Sequence, residues 1–382
     1  MNKGSLPCPR RAQGANQDSQ PPPNQGPDAA FTSLTLLLAG LLSIVPACRK
    51  TPAPVPRAPA ETGTTTEAST PAPTTAPQGM VWIPGGSFMM GSDDKPHEGP
   101  VHKVTIEGFW MDETEVTNAQ FAAFVSATGH ITSAEKTPKL EDFPPEVRPD
   151  IPLDKLKPGA NNFKPTAAPV PLDNPLSWWE YKFGASWRHP EGPESSIEGK
   201  DNHPVVCISF DDAEAFCRWA GKRLPSEAEW EFAARGGLSQ NRYAWGHDLK
   251  PAGKWMTNIW QGEFPVKASD DDGFPGRAPV KSFPPNAYGL YDVSGNVWEW
   301  TADWYSESFY RTGPSYNPLN TEPSSDNPQG MPCRSIRGGS WLCNDCYCEA
   351  YRVAGRQETS PDTATNHTGF RCAQSPKPQS PR

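Results

Sequence analysis

Three cysteines fall within six residues, in Cys343-Asn-Asp-Cys346-Tyr-Cys348, directly after Arg337-Gly-Gly-Ser-Trp-Leu. Soft thiolates at that density suit Cu(I), zinc or an iron–sulfur cluster. Cys343 and Cys346 have the C-x-x-C spacing of a zinc site, but no second such pair or paired histidine follows, and the seven histidines are scattered. A thioredoxin-like motif needs its C-x-x-C at the start of a helix, whereas here a Gly-Gly segment precedes and Tyr347 follows. A structural disulfide within the cluster is the bland alternative. The Asn344-Asp345 turn signal folds the chain back within the cluster, so thiols on both sides of it can face one ion. Elsewhere, Asp270-Asp-Asp-Gly273 superficially suggests an EF-hand, but residue 268 is Ala and residue 279 is Pro where that loop wants acids. Cys207, in Val205-Val-Cys-Ile-Ser-Phe, reads as a buried thiol rather than a ligand. Hydrolase readings lack a nucleophile elbow or paired histidines.

The elements that must position this cluster are sparse. Met80-Val-Trp-Ile-Pro-Gly-Gly-Ser-Phe-Met-Met-Gly and His102-Lys-Val-Thr-Ile-Glu-Gly-Phe-Trp-Met are β-formers punctuated by Gly and Pro, and predict strands. Thr117 caps a helix with Phe121, Phe124 and Val125 on one face, stopped by Gly129. From Lys136 to Leu176, frequent Pro and absent periodicity predict a long surface loop. Val205–Phe210 reads as a short buried strand feeding a helix over Asp212–Ala220, with Ala213, Phe216, Cys217 and Ala220 inward. Ser226 and Glu229 form a capping box ahead of Trp230, with Gly236 as the stop. After Gly237 the chain is mostly loops, aromatics and glycines. Metal ions or disulfides are the usual means of holding so long an irregular stretch.

All 14 Trp lie at or after Trp82 and the first aromatic is Phe31, so core-forming residues begin near residue 80. The roughly 300 residues that remain fit one domain over residues 79–374, ahead of a disordered tail, 375–382. The net charge of −9, with no polybasic cluster, argues against nucleic acid as a partner. Residues 1–48 read as a signal peptide or lipoprotein-type leader. The apolar run 34–45 has the length of a signal core, and Val45-Pro-Ala-Cys48 would make Cys48 the lipidated mature N-terminus. Residues 49–78, rich in Pro and Thr and without aromatics, form a tether that spans up to about 90 Å when extended. The expected location is an envelope lipoprotein or the periplasm of a bacterium, with membrane contact only through that lipid or signal anchor.

The Gly-Gly-Ser-Trp-Leu-Cys…Cys stretch, then Arg356 and Asn366-His-Thr-Gly-Phe-Arg-Cys372-Ala, resembles the C-terminal signature of formylglycine-generating enzymes. The similarity continues upstream in Met111-Asp-Glu-Thr-Glu-Val-Thr-Asn118, Trp187-Arg-His-Pro-Glu-Gly-Pro193, Ala220-Gly-Lys-Arg-Leu-Pro-Ser-Glu-Ala-Glu-Trp230 and Asn258-Ile-Trp-Gln-Gly-Glu-Phe-Pro265. It spans residues 79 to 374. It implies an α+β, C-type-lectin-like fold, loop-rich with little regular secondary structure. It also implies an oxidase that uses O₂ and a thiol reductant to convert a cysteine of a sulfatase polypeptide, in a Cys-x-Pro-x-Arg-type motif, to Cα-formylglycine. In that family two cysteines matching Cys343 and Cys348 bind Cu(I), and the substrate thiolate joins them there. Ser340 sits where the family orients the oxygen or the substrate sulfur; its bland reading is a hydroxyl capping a turn.

The same resemblance implies structural Ca²⁺ at two sites. One would use Asn258, the Ile259 carbonyl, Asp272 and the Phe274 carbonyl. The other would use Asp292, the carbonyls of Gly295 and Val297, and Glu299, with Asp292 standing where the family often has Asn. Mixed carboxylate, amide and carbonyl oxygens suit this hard cation; the alternative for both is a solvated turn. A disulfide between Cys217 and Cys372 is implied as well, while a second family pair corresponds to Ala234 and Val353. Cys346 departs from the family pattern, with exchange into the ligand pair or pairing with Cys333 as its two options. The expected enzyme is a monomer. The competing reading is a non-catalytic exported lipoprotein that keeps the lectin-like fold for binding or envelope structure. Many relatives of this domain lack the cysteine pair, and this chain retains it.

Overall fold

The computed structural model describes residues 76–376, apart from 144, 146 and 147. The expected leader, Cys48, nearly all of the tether and the tail beyond Pro376 lie outside the described residues. Strands β1 (Met80–Ile83) and β4 (Phe109–Asp112) pair antiparallel, and β13 (Ala373–Gln374) joins the other edge of β4, so the two ends of the domain meet in one sheet. Between them, β2 (Gly86–Met90) and β3 (His102–Ile106) form a hairpin. A second sheet has the order β11 (Arg356–Thr359), β10 (Arg334–Arg337), β9 (Trp298–Trp304), β12 (Thr368–Gly369). The fold is mixed α and β, with few helices and much loop.

Among the described residues three helices have two turns or more, the first packing on the second and the third on β2, β3, β9 and β10, and local sequence sets their ends. Helix α1 (Asn118–Thr128) starts at Thr117, whose hydroxyl caps Gln120 in a reciprocal capping box, and stops at Gly129 in the left-handed region. Helix α2 (Phe210–Trp219) starts two residues before the expected Asp212, because Ser209 and Asp212 form the capping box. Helix α3 (Glu227–Arg235) has the Ser226–Glu229 box and the Gly236 stop that the sequence signalled. A single turn, α4 (Phe309–Thr312), follows β9.

Two expectations are corrected. Residues 205–210 are buried but make no strand: the Val205 amide bonds to Val116 O and the Cys207 amide to Thr365 O. Cys207 takes φ 57°, which interrupts any ladder. The stretch 136–176 is not all surface loop, since β5 (Gly159–Phe163) lies within it, pairs with β6 (Trp179–Phe183) and is buried at four of its five residues. Its Gly-Ala-Asn-Asn sequence has low strand propensity, and tertiary pairing overrides it. A last hairpin, β7 (Gly262–Glu263) with β8 (Lys267–Ala268), carries part of the aromatic cluster described below.

A buried ionic network also holds the irregular C-terminal half. Glu227 and Glu231, one turn apart on α3, face Arg337 of β10; Glu227 also accepts from Arg356 of β11, and Glu231 from Arg235. All five side chains are buried. Each charge is paired, the condition under which burial is tolerated.

Candidate active site

Strand β10 delivers the chain into a tight turn at Gly338 (φ 92°) and Gly339 (φ 69°), and this turn aims Ser340 inward. A Cβ on Gly339 would sit 2.7 Å from the Tyr351 amide nitrogen. From Ser340 the chain coils on itself: the Cys343 amide donates to Ser340 O (2.9 Å) and the Cys348 amide to Asn344 O (3.0 Å). The Asn344 carboxamide oxygen accepts from the Cys346 and Tyr347 amides at 2.8 and 2.9 Å. That Asx turn reverses the chain, as the Asn344-Asp345 signal implied. Cys343 and Cys348 end with Cα atoms 4.7 Å apart and are joined as a disulfide, both buried. The structure thus brings the two expected ligands to one point, in their oxidised form.

Around them lies a cavity of about 30 Å³ lined by Ser340, Cys343, Cys348, His367, Trp179 and Tyr347, among others. That is room for one or two molecules of water size. One wall comes from a hydrophobic cluster of Trp178, Trp179, Trp260, Phe264 and Leu342, against which Tyr347 packs, while Glu358, Thr365 and Thr368 line another. The Trp178 and Tyr347 rings meet edge to face at 5.2 Å, and Phe264 stacks on Tyr347 at 4.9 Å. Burial pushes the Tyr347 phenol up to about 12, so it stays protonated. Ser340 is fully buried; its hydroxyl lies 3.0 Å from Nδ1 of His367 and accepts from the Leu342 amide at 3.3 Å. Burial, reinforced by the Arg277 charge, depresses His367 to about 3, so the imidazole is neutral.

The remaining cysteines separate cleanly. Cys217 of α2 and Cys372, next to β13, are buried with sulfurs 3.2 Å apart, in contact but not bonded. Cys333 is buried, with its sulfur 3.5 Å from the Gln329 carboxamide oxygen and its thiol pushed up to about 12 by burial. It is not bonded to Cys346, which closes that option. Cys207 is a buried thiol raised well above its usual range by desolvation, as expected of an inert core cysteine.

The residues expected to hold the first calcium meet in a single loop pair. The Asp272 carboxylate accepts from the Ile259 and Phe274 amides (3.1 and 3.0 Å) and from Gln261 (2.8 Å), while the Asn258 carboxamide donates to Gly276 O and Asn296. Burial raises the Asp272 carboxyl, with Asp270 adding to it and the hydrogen bonds from Gln261, Phe274 and Ile259 opposing it. The second set lies alongside, joined through a bridge between Asn258 and Gly295. Here Glu299 accepts from Arg371 (2.7 Å, both oxygens) and from the Trp230 indole (2.7 Å). Burial raises Asp292 to about 6, with Glu299 contributing. Glu115, which the sequence reading did not single out, is raised strongly by burial, by Asp292 and by Glu299. Arg371 and Lys281 oppose that rise at Asp292, so the set combines buried acids with two nearby cations. Among the described residues no three His, Cys, Asp or Glu side chains converge as a metal cluster, so both sets depend on carbonyl and amide oxygens for their remaining ligands.

Sequence reasoning also missed His367 and the Glu227–Arg337–Arg356 network. The signal for the network was present as Glu227 and Glu231 at helical spacing beside Trp230, but nothing local says which arginines they meet. Three comparisons with known proteins bear on the site. The family described as "Sulfatase-modifying factor enzyme 1-like domain" matches residues 65–376. The formylglycine-generating enzyme of Streptomyces coelicolor is 47% identical over 327 residues, covering 84% of this chain and 95% of that protein. That of Thermomonospora curvata is 47% identical over 305 residues, 78% of this chain and 94% of the relative. The inactive Cα-formylglycine-generating enzyme 2 of Mus musculus is 40% identical over 306 residues, 78% of this chain and 85% of the relative. Among solved structures, PvdO from Pseudomonas aeruginosa aligns with TM-score 0.53 and 26% identity over 78% of this chain and 94% of that one.

Proposed function

This chain belongs to the sulfatase-modifying factor enzyme family, and from that premise we propose that it oxidises a cysteine of a sulfatase polypeptide to Cα-formylglycine. The observation that carries the proposal is the convergence of Cys343 and Cys348 beside Ser340 at a small, partly aromatic cavity. Relatives named as inactive share 40% identity with this chain, so family membership by itself does not decide activity; the retained cysteine pair is what supports the active reading.

Once reduced, Cys343 and Cys348 are the residues that would hold Cu(I), and two thiolates are the donor set that soft ion prefers. The ion would supply a one-electron centre at which a substrate thiolate meets dioxygen. Electron balance then calls for a thiol: O₂ takes four electrons, two from the substrate Cβ–S unit and two from the reductant. The same reductant opens the Cys343–Cys348 bond. Ser340 orients the reacting sulfur or oxygen, and the tryptophan and phenylalanine walls exclude bulk water. The cavity is too small for a peptide, which supports entry of the substrate cysteine side chain alone. Asn258, Asp272 and the Ile259 and Phe274 carbonyls would hold one Ca²⁺, and Asp292, Glu299 and the Gly295 and Val297 carbonyls a second, both structural. A Cys217–Cys372 disulfide needs only that the contacting sulfurs close. We further infer that the chain is exported on its leader and acts as a monomer.

The test is mass spectrometry of a peptide carrying Cys-x-Pro-x-Arg, incubated with the Cu(I)-loaded chain, a thiol and O₂, beside the Cys348→Ser variant. Aldehyde formed by the parent and not by the variant is the expected result. Copper bound without conversion would sink the sulfatase reading, and absence of copper binding would favour the non-catalytic lipoprotein.

A further inference from the structure

We propose that His367 is a positioning residue that fixes the hydroxyl of Ser340 as a donor aimed into the cysteine cavity. This rests on the proposed oxidase function, because the donor's target is the charge developing there.

The argument is a count of hydrogen bonds. A serine hydroxyl has one proton to donate and two lone pairs to fill. Ser340 is fully buried and its hydroxyl opens only onto the small cavity, so two protein partners and that cavity complete the set. Its backbone is already committed: the carbonyl accepts from the Cys343 amide, and its own amide points at the Cys343 sulfur at 3.4 Å. At Oγ, the Leu342 amide fills one lone pair. The other close partner is Nδ1 of His367 at 3.0 Å, and its protonation decides what the hydroxyl does next. With the imidazole proton on Nδ1, the second lone pair is filled as well. The serine proton is then left with one direction, the cavity, where it meets an anionic sulfur or a reduced oxygen species. With the proton on Nε2, the serine donates to the ring and presents only an acceptor to the cavity, which repels the same anions. Stabilising charge that develops during reaction needs the first arrangement.

The surroundings keep the ring in place for this task. His367 is held by its own carbonyl, which accepts from the Trp298 amide (2.9 Å) at the β9–β12 pairing, and by Trp179, whose ring lies 4.7 Å from the imidazole. Burial and Arg277 keep the ring neutral, so it carries a single proton to place. A doubly protonated ring would remove the distinction.

Two measurements test the assignment, and they fail separately from the functional reading. The first is ¹⁵N NMR of the histidine-labelled, reduced, metal-free chain, with the His367 signals assigned by their loss in a variant. A protonated Nδ1 is expected; a protonated Nε2 overturns the proposal whether or not the chain oxidises any peptide. The second is a double-mutant cycle on kcat. His367→Leu is expected to lower kcat about 10- to 100-fold, the range for a hydrogen bond to a charged group, with KM and Cu(I) affinity unchanged. Added to Ser340→Ala, it should cost nothing more. His367→Asn, whose amide N–H can donate from the same place, should restore kcat to within about threefold. Additive losses, or an Asn variant as slow as the Leu variant, overturn the positioning role. Should the Leu variant not fold, the Asn variant and the NMR signature decide.

Discussion

Replacing Glu227 by Ala would remove the acceptor at the centre of the buried network. Its carboxylate takes bonds from Arg356 at 2.6 and 2.8 Å, Arg337 at 3.0 Å, and the Ser335 and Tyr310 hydroxyls at 3.2 Å each. Arg337 would retain Glu231, but Arg356 would keep only the carbonyls of His97 and Ser306. Breaking one side of a buried ion pair costs about 3–5 kcal/mol, because a charge is left buried and unpaired. Against a total stability of about 5–15 kcal/mol that is a large fraction. For a domain of about 300 residues it lowers Tm by roughly 5–8 °C. Urea unfolding of both chains gives the difference directly, with unchanged m-values confirming that only stability moved. The dependence on pH adds a second reading. Burial alone would raise the Glu227 carboxyl, but Arg356 and Arg337 outweigh it and hold it below the usual range. A group depressed in the folded state stabilises above its unfolded pKa, and that stabilisation is lost as pH falls through the folded value. The variant's stability should therefore fall less steeply than the parent's on acidification below about pH 4.5. A loss under about 1 kcal/mol, or an unchanged acid limb, would refute the claim that this network holds α3 to the second sheet.

Three further outcomes follow from the same geometry. Gly339→Ala should cost about 1–3 kcal/mol and disturb the cysteine turn, since the new Cβ meets the Tyr351 amide at φ 69°; unaltered thermal unfolding would contradict this. Chelation of calcium should lower Tm, and Asp272→Ala should remove part of that response, because a ligand at about 100 Kd contributes about 2.7 kcal/mol; calorimetry with and without chelator checks it. Asp303 is raised to about 7 by burial and by Glu227, so its stabilising effect is complete below its unfolded pKa and lost as pH rises through about 7. Asp303→Asn removes that titration and should flatten the curve between pH 4 and 7, but its NH2 cannot accept from the Glu227 or Asn320 amide, so the variant should be less stable than the parent at about pH 5, as unfolding at several pH values would record.

Much of this protein could be read before any fold was known, and the reason is local. Caps at Thr117, Ser226, Gly129 and Gly236 act within one turn of their helices, so their residue types suffice. The Asn344 turn is equally local, so the reversal of the chain inside the cysteine cluster was legible from residue types alone. The concentration of tryptophan after residue 80 marked where a core could begin. Tertiary structure decided what depends on distant partners. Gly159-Ala-Asn-Asn becomes a buried strand only because β6 covers it, and Cys207 leaves extended geometry where the Val205 amide bonds to residue 116 and its own amide to residue 365. Glu227 with Arg356, Glu115 beside Asp292, and Ser340 beside His367 are separated by 129, 177 and 27 positions, and no periodicity links them. Hydrogen bonds and desolvation act over a few ångströms of space, whereas sequence patterns act over a few residues of chain. The charge states and hydroxyl direction at the site therefore belong to the folded protein alone.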